Sequence, residues 1–204
     1  MNNISGTQGY SSNVQRFIKS TLEIPFEVLH KDFLAFLPTT KSRVLDLGAG
    51  IGRDAHALAK EGHLVFAVEP LNEFRNAGKE LFKAEKIHWV DDALPHLKTL
   101  EKLTFDFVLI SGVWHHLNEK EQKIALKKIA SLLNDKGKLA ISLRNGPAGA
   151  GSHIFPTEGL KIQSWAEDLG LKTLLHLKNQ DSLMKNKTAV KWARLVFEKG
   201  NKNK

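Results

Sequence analysis

Residues 44–55, VLDLGAGIGRDA, set one carboxylate, Asp46, two positions ahead of three glycines at every second residue: Gly48, Gly50 and Gly52. Without Cβ atoms, such a turn lets backbone come close to a ligand. Asp46 beside it is a poor neighbour for a pyrophosphate and a good acceptor for a group carrying an ammonium. Four more polar groups follow apolar runs: Glu69 after HLVFAV, Asp91 and Asp92 after IHWV, Ser111 to His116 after FDFVLI, and Arg144 after KLAISL. Gly and Asp are ordinary turn residues, which accounts for any one of these groups. It accounts poorly for five, each at the end of an apolar run.

Collecting those groups in one place requires elements that point the same way. The runs 43–47, 63–69, 87–90, 105–110 and 138–144 have the near-continuous apolar character of buried strands. Helical patterns separate them at 54–61, ended by Gly62, at 71–84, weakly at 94–103, and at 119–133. The alternation predicts an α/β, doubly wound, mostly parallel sheet with a ligand crevice beyond the carboxyl ends of its strands. After the loop NGPAGAGSHIFP come a helix over 157–169 and strands over 171–177 and 191–198. No helix joins those two strands, which predicts an antiparallel hairpin at one sheet edge. Before the sheet, residues 13–36 carry apolar positions at helical spacing broken at Pro25, which predicts two short helices.

The glycine spacing selects among ligands. It reads G-x-G-x-G, and Arg53 stands where a dinucleotide fingerprint needs its third glycine. Nicotinamide and flavin cofactors are disfavoured, and the chain has no P-loop motif for a nucleoside triphosphate.

At this point the chain resembles the class I S-adenosylmethionine-dependent methyltransferases. VLDLGAGIG is similar to their first motif, and VFAVEP, WVDDALP, FDFVLISGVWHHL and LLNDKGKLAISLR follow in the family's order, so the likeness covers about residues 40–145. Within that family, SLRNGP together with VWHHL and GIGRDA resembles a bacterial group of unassigned substrate whose fifth strand ends in SLR-x-GP with His at x. This chain has Asn145 there. The resemblance implies a Rossmann-like methyltransferase fold with a seven-stranded sheet, and S-adenosylmethionine as cofactor. It implies contacts from Asp46, Gly48, Ala49, Gly50 and Gly52; from Glu69 to the ribose hydroxyls, beside Pro70; and from Asp92 to the adenine amino group, beside Ala93, with Asp91 as competitor and Ser111 at the fourth strand. Glu69 has a second reading as a strand-end cap. Arg53 either reaches the cofactor carboxylate or lies on the surface.

Methyl transfer from a sulfonium asks for alignment, exclusion of water and, for a protonated acceptor, a base. Trp114, His115 and His116 stand where an acceptor would meet the methyl group, and histidine suits proton removal near neutrality. Packing is the competing role for all three. Arg144 either binds an acidic acceptor or anchors its loop, and His153 reads as a loop residue. The helical segment within residues 1–36 is expected to act as a lid, with Tyr10 touching the cofactor, and residues 199–204 form a tail to a single domain spanning 1–204.

Composition limits the rest. The 204 residues include no cysteine, hence no thiolate metal site and no cysteine nucleophile, and no His/Asp/Glu spacing marks a metal site. The N-terminus shows no leader pattern and no apolar run is long enough for a membrane span, so the cytoplasm is expected. The net charge of +8 rests on lysine, with arginine only at Arg16, Arg43, Arg53, Arg75, Arg144 and Arg194. That composition suits a solvated surface better than base and phosphate recognition. No Asn-Pro-Pro-aromatic segment follows the fourth strand, which argues against exocyclic amines of DNA bases. The expected acceptor is therefore a small molecule. An RNA methyltransferase, or a non-catalytic cofactor-binding partner subunit, is the alternative, and oligomeric state stays open.

The segments 111–117 and 145–157 contain no lysine. RNA association should accordingly be weak and non-specific, and gone at about 0.2 M salt in a filter-binding titration. Tight binding that persists there would move RNA to the leading acceptor class.

Overall fold

The structure, a computed structural model, describes residues 4, 6–10, 13–83, 86–149, 151, 154–184 and 187–201; His153 lies outside them. Helices α1 (Val14–Leu22) and α2 (Phe26–Leu29) flank Pro25. A 3-10 turn follows at Leu34–Phe36. Then come β1 (Arg43–Leu47), α3 (Arg53–Lys60), β2 (Leu64–Val68), α4 (Asn72–Leu81), β3 (Ile87–Val90) and β4 (Phe105–Ile110). The chain continues with α5 (Glu119–Leu132), β5 (Leu133–Asn145), α6 (Gly159–Asp168), β6 (Leu171–Asp181) and β7 (Lys191–Lys199). The strands form one seven-stranded sheet in the order β3-β2-β1-β4-β5-β7-β6. The first five are parallel, and β7 is antiparallel to both β5 and β6. The order reverses between β1 and β4, and that switch point is where an open parallel sheet leaves a crevice.

Strand alternation explains why the apolar runs are continuous: each face of the sheet is buried under helices. Leu45, Leu47, Val108, Ile110, Ile141 and Phe197 lie in one core with Leu126 and Ile129 of α5 and Ile162 of α6. Val44, Phe107, Leu109, Ala140 and Val196 lie in the other with Ala55 and Leu58 of α3, Phe26 and Phe33. The register of this second face has a consequence at the strand ends. Two residues on from Val44 stands Asp46, and on from Ala140 stand Ser142 and Arg144. Across from these, β7 pairs Arg194 with Ser142 and Trp192 with Arg144. The apolar face thus turns polar at the crevice without any change of register.

Several boundaries differ from the sequence reading for local reasons. Helix α4 starts at Asn72 because the Leu71 N–H donates to Glu69. The helical stretch expected over 94–103 reduces to a 3-10 turn at Lys98–Leu100. Strand β5 begins at Leu133, which pairs with Phe105 across a register shift. Helix α6 starts at Gly159 because Thr157 is taken by the side chain of Asn145, which accepts from its N–H at 3.0 Å and donates to its carbonyl at 2.8 Å. Lys199, expected in a tail, belongs to β7, and its ammonium donates to the carbonyls of Ala130 and Leu133 at the end of α5. A capping box begins α5, with Asn118 and Glu121 each accepting the other's backbone N–H, and holds the end of SGVWHHL in place. Among the described residues no helix is long and apolar enough to cross a membrane.

Close packing under the glycine turn yields a prediction. A Cβ on Gly78 of α4 would lie 2.5 Å from the Trp89 ring and 2.6 Å from the Ile51 carbonyl oxygen. Helix propensity favours Gly78→Ala by up to about 1 kcal/mol, but overpacking costs about 1–3 kcal/mol. Gly78→Ala should therefore lower stability in urea unfolding; an unchanged or raised midpoint would show that Trp89 moves aside freely.

Candidate functional site

The turn after β1 is tied to β2. The N–H groups of Gly48 and Ala49 both donate to the Val68 carbonyl, at 2.8 and 2.9 Å. All three glycines have positive φ: 70° at Gly48, 57° at Gly50 and 80° at Gly52. A side chain on Gly48 would collide with Val113, and one on Gly52 would reach 2.7 Å from Trp89. Gly52 packs closely against Trp89 and makes the left-handed turn into α3. At Gly50 a Cβ would meet Phe17 of α1 at 3.1 Å.

Glu69 ends β2 beneath this turn. Its carboxylate accepts from Gly50 N–H and Leu71 N–H, both at 2.9 Å, while Arg75 donates to its backbone carbonyl at 2.6 Å. Burial pushes this carboxyl up to about 7, against the pull of the two N–H groups and Arg75. Glu69 caps the strand end and also faces a hollow. That hollow is walled by apolar side chains including Leu47, Val68, Phe74 and Leu94, with Pro70 and Ala93. Asp92 lies on its rim, accepting from Ala93 N–H at 2.8 Å and from the N–H and hydroxyl of Thr99. Asp91 turns outward to pair with Arg75 at 2.8 Å and lines neither hollow. Of the two acids, only Asp92 lines the hollow.

A second hollow, of about 1350 Å3 and open to solvent, lies beyond a partition made by Tyr10, Phe17, Val113 and His116, which line both. The Tyr10 hydroxyl and His116 Nε2 are 3.0 Å apart, and Phe17 stacks on Phe74. Burial pushes the Tyr10 phenol up to about 12, so it stays protonated. Asp46 reaches this hollow from β1. Its Oδ2 is buried without a hydrogen-bond partner among the described residues. Burial holds its carboxyl well above the usual range, with Asp54 adding to the shift and Arg53 and the Ala55 N–H opposing it.

Ala49, Ser111 and His115 line the same hollow. His115 has its pKa lowered to about 2 by burial, His116 and Arg144, in that order, which leaves it neutral and too weak a base for proton removal. Trp114 is corrected more sharply. It is fully buried in the core under the sheet and lines neither hollow, because its 3-10 turn points the indole inward.

Both arginines have structural partners. Arg53 donates to Asp54 at 2.7 Å and to the carbonyls of Thr21 and Ile24 at the end of α1, so it ties the N-terminal helix to α3 instead of lying on the surface. Asp54 also meets His30 Nε2 at 2.8 Å, with both side chains buried. Burial pushes the Asp54 carboxyl upward, but His30 and Arg53 outweigh it and hold the group well below the ordinary carboxylate range. Arg144 donates to the carbonyls of Pro147 and Gly146, which anchors the loop after β5 while its guanidinium still lines the second hollow.

Sequence reasoning missed Phe17, Phe74, His30 and Lys187. Phe17 sits in an amphipathic helix whose target the pattern does not name. Phe74 reads as ordinary helix core, and the His30–Asp54 contact spans 24 positions.

Comparison with known proteins places this geometry. Residues 44–137 match a family described as a methyltransferase domain. An uncharacterized methyltransferase of Alkaliphilus oremlandii is 30% identical over 106 residues, 48% of this chain and 44% of that protein. The chain spans about half the length of the curated relatives it matches. Among solved structures, a TehB-like SAM-dependent methyltransferase from Corynebacterium glutamicum superposes with a TM-score of 0.68 at 22% identity, covering 93% of this chain and 97% of that one. The 1,6-didemethyltoxoflavin-N1-methyltransferase of Burkholderia thailandensis gives 0.63 at 17%, covering 98% and 93%.

The His30–Asp54–Arg53 contacts directly behind the glycine turn predict a stability effect. His30→Ala should destabilise the protein by about 3 kcal/mol, the scale for removing one partner of a buried ion pair. It should also speed proteolysis within residues 13–36. A variant as stable as the parent in urea would mean that Arg53 alone satisfies Asp54.

Proposed function

We propose that this chain, which carries a class I S-adenosylmethionine-dependent methyltransferase domain, transfers a methyl group to a small-molecule acceptor bound in the second hollow. One observation carries the reading: a buried carboxylate, Glu69, braced under the glycine turn against an apolar hollow, with the orphaned Asp46 oxygen on the other side of that turn. These residues fit the cofactor by chemistry. The apolar hollow suits an adenosine, Glu69 two vicinal hydroxyls, Asp92 an exocyclic amine, and Asp46 an ammonium whose charge would draw its carboxyl back toward ionisation.

When bound, S-adenosylmethionine supplies an electrophilic methyl on a sulfonium. The protein's part is alignment and exclusion of water. Tyr10, Phe17 and Val113 close the boundary between the hollows, and α1 with Tyr10 forms the lid, fastened at its far end by Arg53. His116, bonded to Tyr10 and lining both hollows, is the residue placed to hold or take an acceptor proton; His115 stays neutral. Arg144 and Ser111 complete the acceptor side.

The test is calorimetry with S-adenosylhomocysteine. Hydroxyls donating to Glu69 favour its ionised form, so binding should pull its pKa down from about 7. Binding at pH 6.5 should release protons, read from heats in buffers of different ionisation enthalpy, and release should vanish by about pH 8.5. Glu69→Ala should weaken binding by about 1.5–3 kcal/mol and reduce the release to the share that Asp46 supplies. Release undiminished by the substitution would remove Glu69 from the ribose site. Transfer of labelled methyl from S-adenosylmethionine to small molecules of a cell extract separates an enzyme from a cofactor-binding subunit.

A further inference from the structure

The charges around the second hollow are unevenly balanced. Arg53 is matched by Asp54, and Arg194 by Asp32 at 2.9 Å. Arg144 and Lys187 line the same hollow, and no carboxylate among the described residues pairs with either. Among the described residues, the Arg144 guanidinium donates to the neutral carbonyls of Pro147 and Gly146, at 2.6 and 3.5 Å. Lys187, held at the β6–β7 connection by backbone bonds to Met184 and Val190, is half-buried. After burial, the charges acting on it are Arg144 and Arg16, and all three effects hold its ammonium below the usual lysine range. Two like charges that line one hollow and repel each other favour an anion close to both.

Topology separates this pair from the cofactor's own charged end. Asp46 ends β1, and Arg144 ends β5, two strands away in the order β1-β4-β5. At the usual strand spacing that is about 10 Å. An amino-acid moiety held by Asp46 therefore leaves the β5–β7 side free for another molecule. The walls include apolar or aromatic side chains, Ile24, Val113, Leu183, Met184 and Trp192, alongside the polar Ser111, Ser142 and His115.

We propose that Arg144 and Lys187 form an anion subsite for the methyl acceptor, which is an organic acid: a carboxylate or phosphate at the β5–β7 end, and a compact apolar body reaching toward Val113 and His116. This rests on the methyltransferase reading above and narrows its substrate class. Arg144 thus has two roles, since the bonds that anchor its loop also aim its guanidinium.

The experiment saturates the protein with S-adenosylhomocysteine and titrates benzoate, phenyl phosphate and uncharged benzamide, following ligand-detected NMR. At least one of the two anions should bind ten-fold or more tightly than benzamide, and the tighter one identifies the acid. Lys187→Gln should cost that anion about ten-fold while the variant still binds S-adenosylhomocysteine, which checks its fold. Arg144→Lys should cost more, since it removes the fork as well as the loop anchor. Equal binding of benzamide and both anions, or no effect of Lys187→Gln, overturns the proposal and leaves the cofactor reading standing. Failure of S-adenosylhomocysteine to bind overturns the cofactor reading instead; anion binding that Lys187→Gln then still weakened would keep the subsite without its methyltransferase role.

Discussion

The site depends on one carboxylate crossing from β2 to the turn after β1. Glu69 holds Gly50 through its N–H and Leu71 through another, so the glycine turn, the strand end and the start of α4 share a single buried acid. Removing that acid from water raises its pKa, and the two backbone donors only partly offset the effect. A group held in that balance is ready to respond to further donors. The same side chain therefore shapes the turn and lines the hollow in which we propose that the cofactor binds.

Around that point the fold arranges charge by depth. Under the turn, His30, Asp54 and Arg53 satisfy one another and join α3 to the end of α1. At the turn, Asp46 is left with an unpartnered oxygen. Beyond it, Arg53 and Arg194 are paired, whereas Arg144 and Lys187 in the same lining have no carboxylate partner among the described residues. Buried charge is costly without a partner, so the unpaired groups are informative where paired ones are not.

Much of the fold was legible because burying both faces of a parallel sheet leaves continuous apolar runs, and each run ended in a recognisable residue. The hairpin of β6 and β7 followed from the missing helix between them. The glycine turn, Glu69 and Asp92 were also legible, because glycine at a positive φ and acids at strand ends are local features. Trp114 misled for the same local reason: a large aromatic beside two histidines looks like a substrate wall until the turn carrying it is seen to face the core. Arg53 and Arg144 each had two readings, and choosing required knowing which carbonyls come within reach.

The sequence by itself determined the strand polarity, the crevice at its carboxyl ends and the residue types collected there, because periodicity and turn chemistry act over a few neighbours. Only the tertiary structure decided which of those residues face a hollow and which serve packing. The Tyr10–His116 contact joins positions 106 apart, and the Arg53–Thr21 tie joins positions 32 apart. Lys187 reaches the hollow from the connection preceding the last strand. Nothing local distinguishes that lysine from those on the solvated surface; its significance comes from Arg144 beside it and from the absence of an acid among the described residues to balance the two.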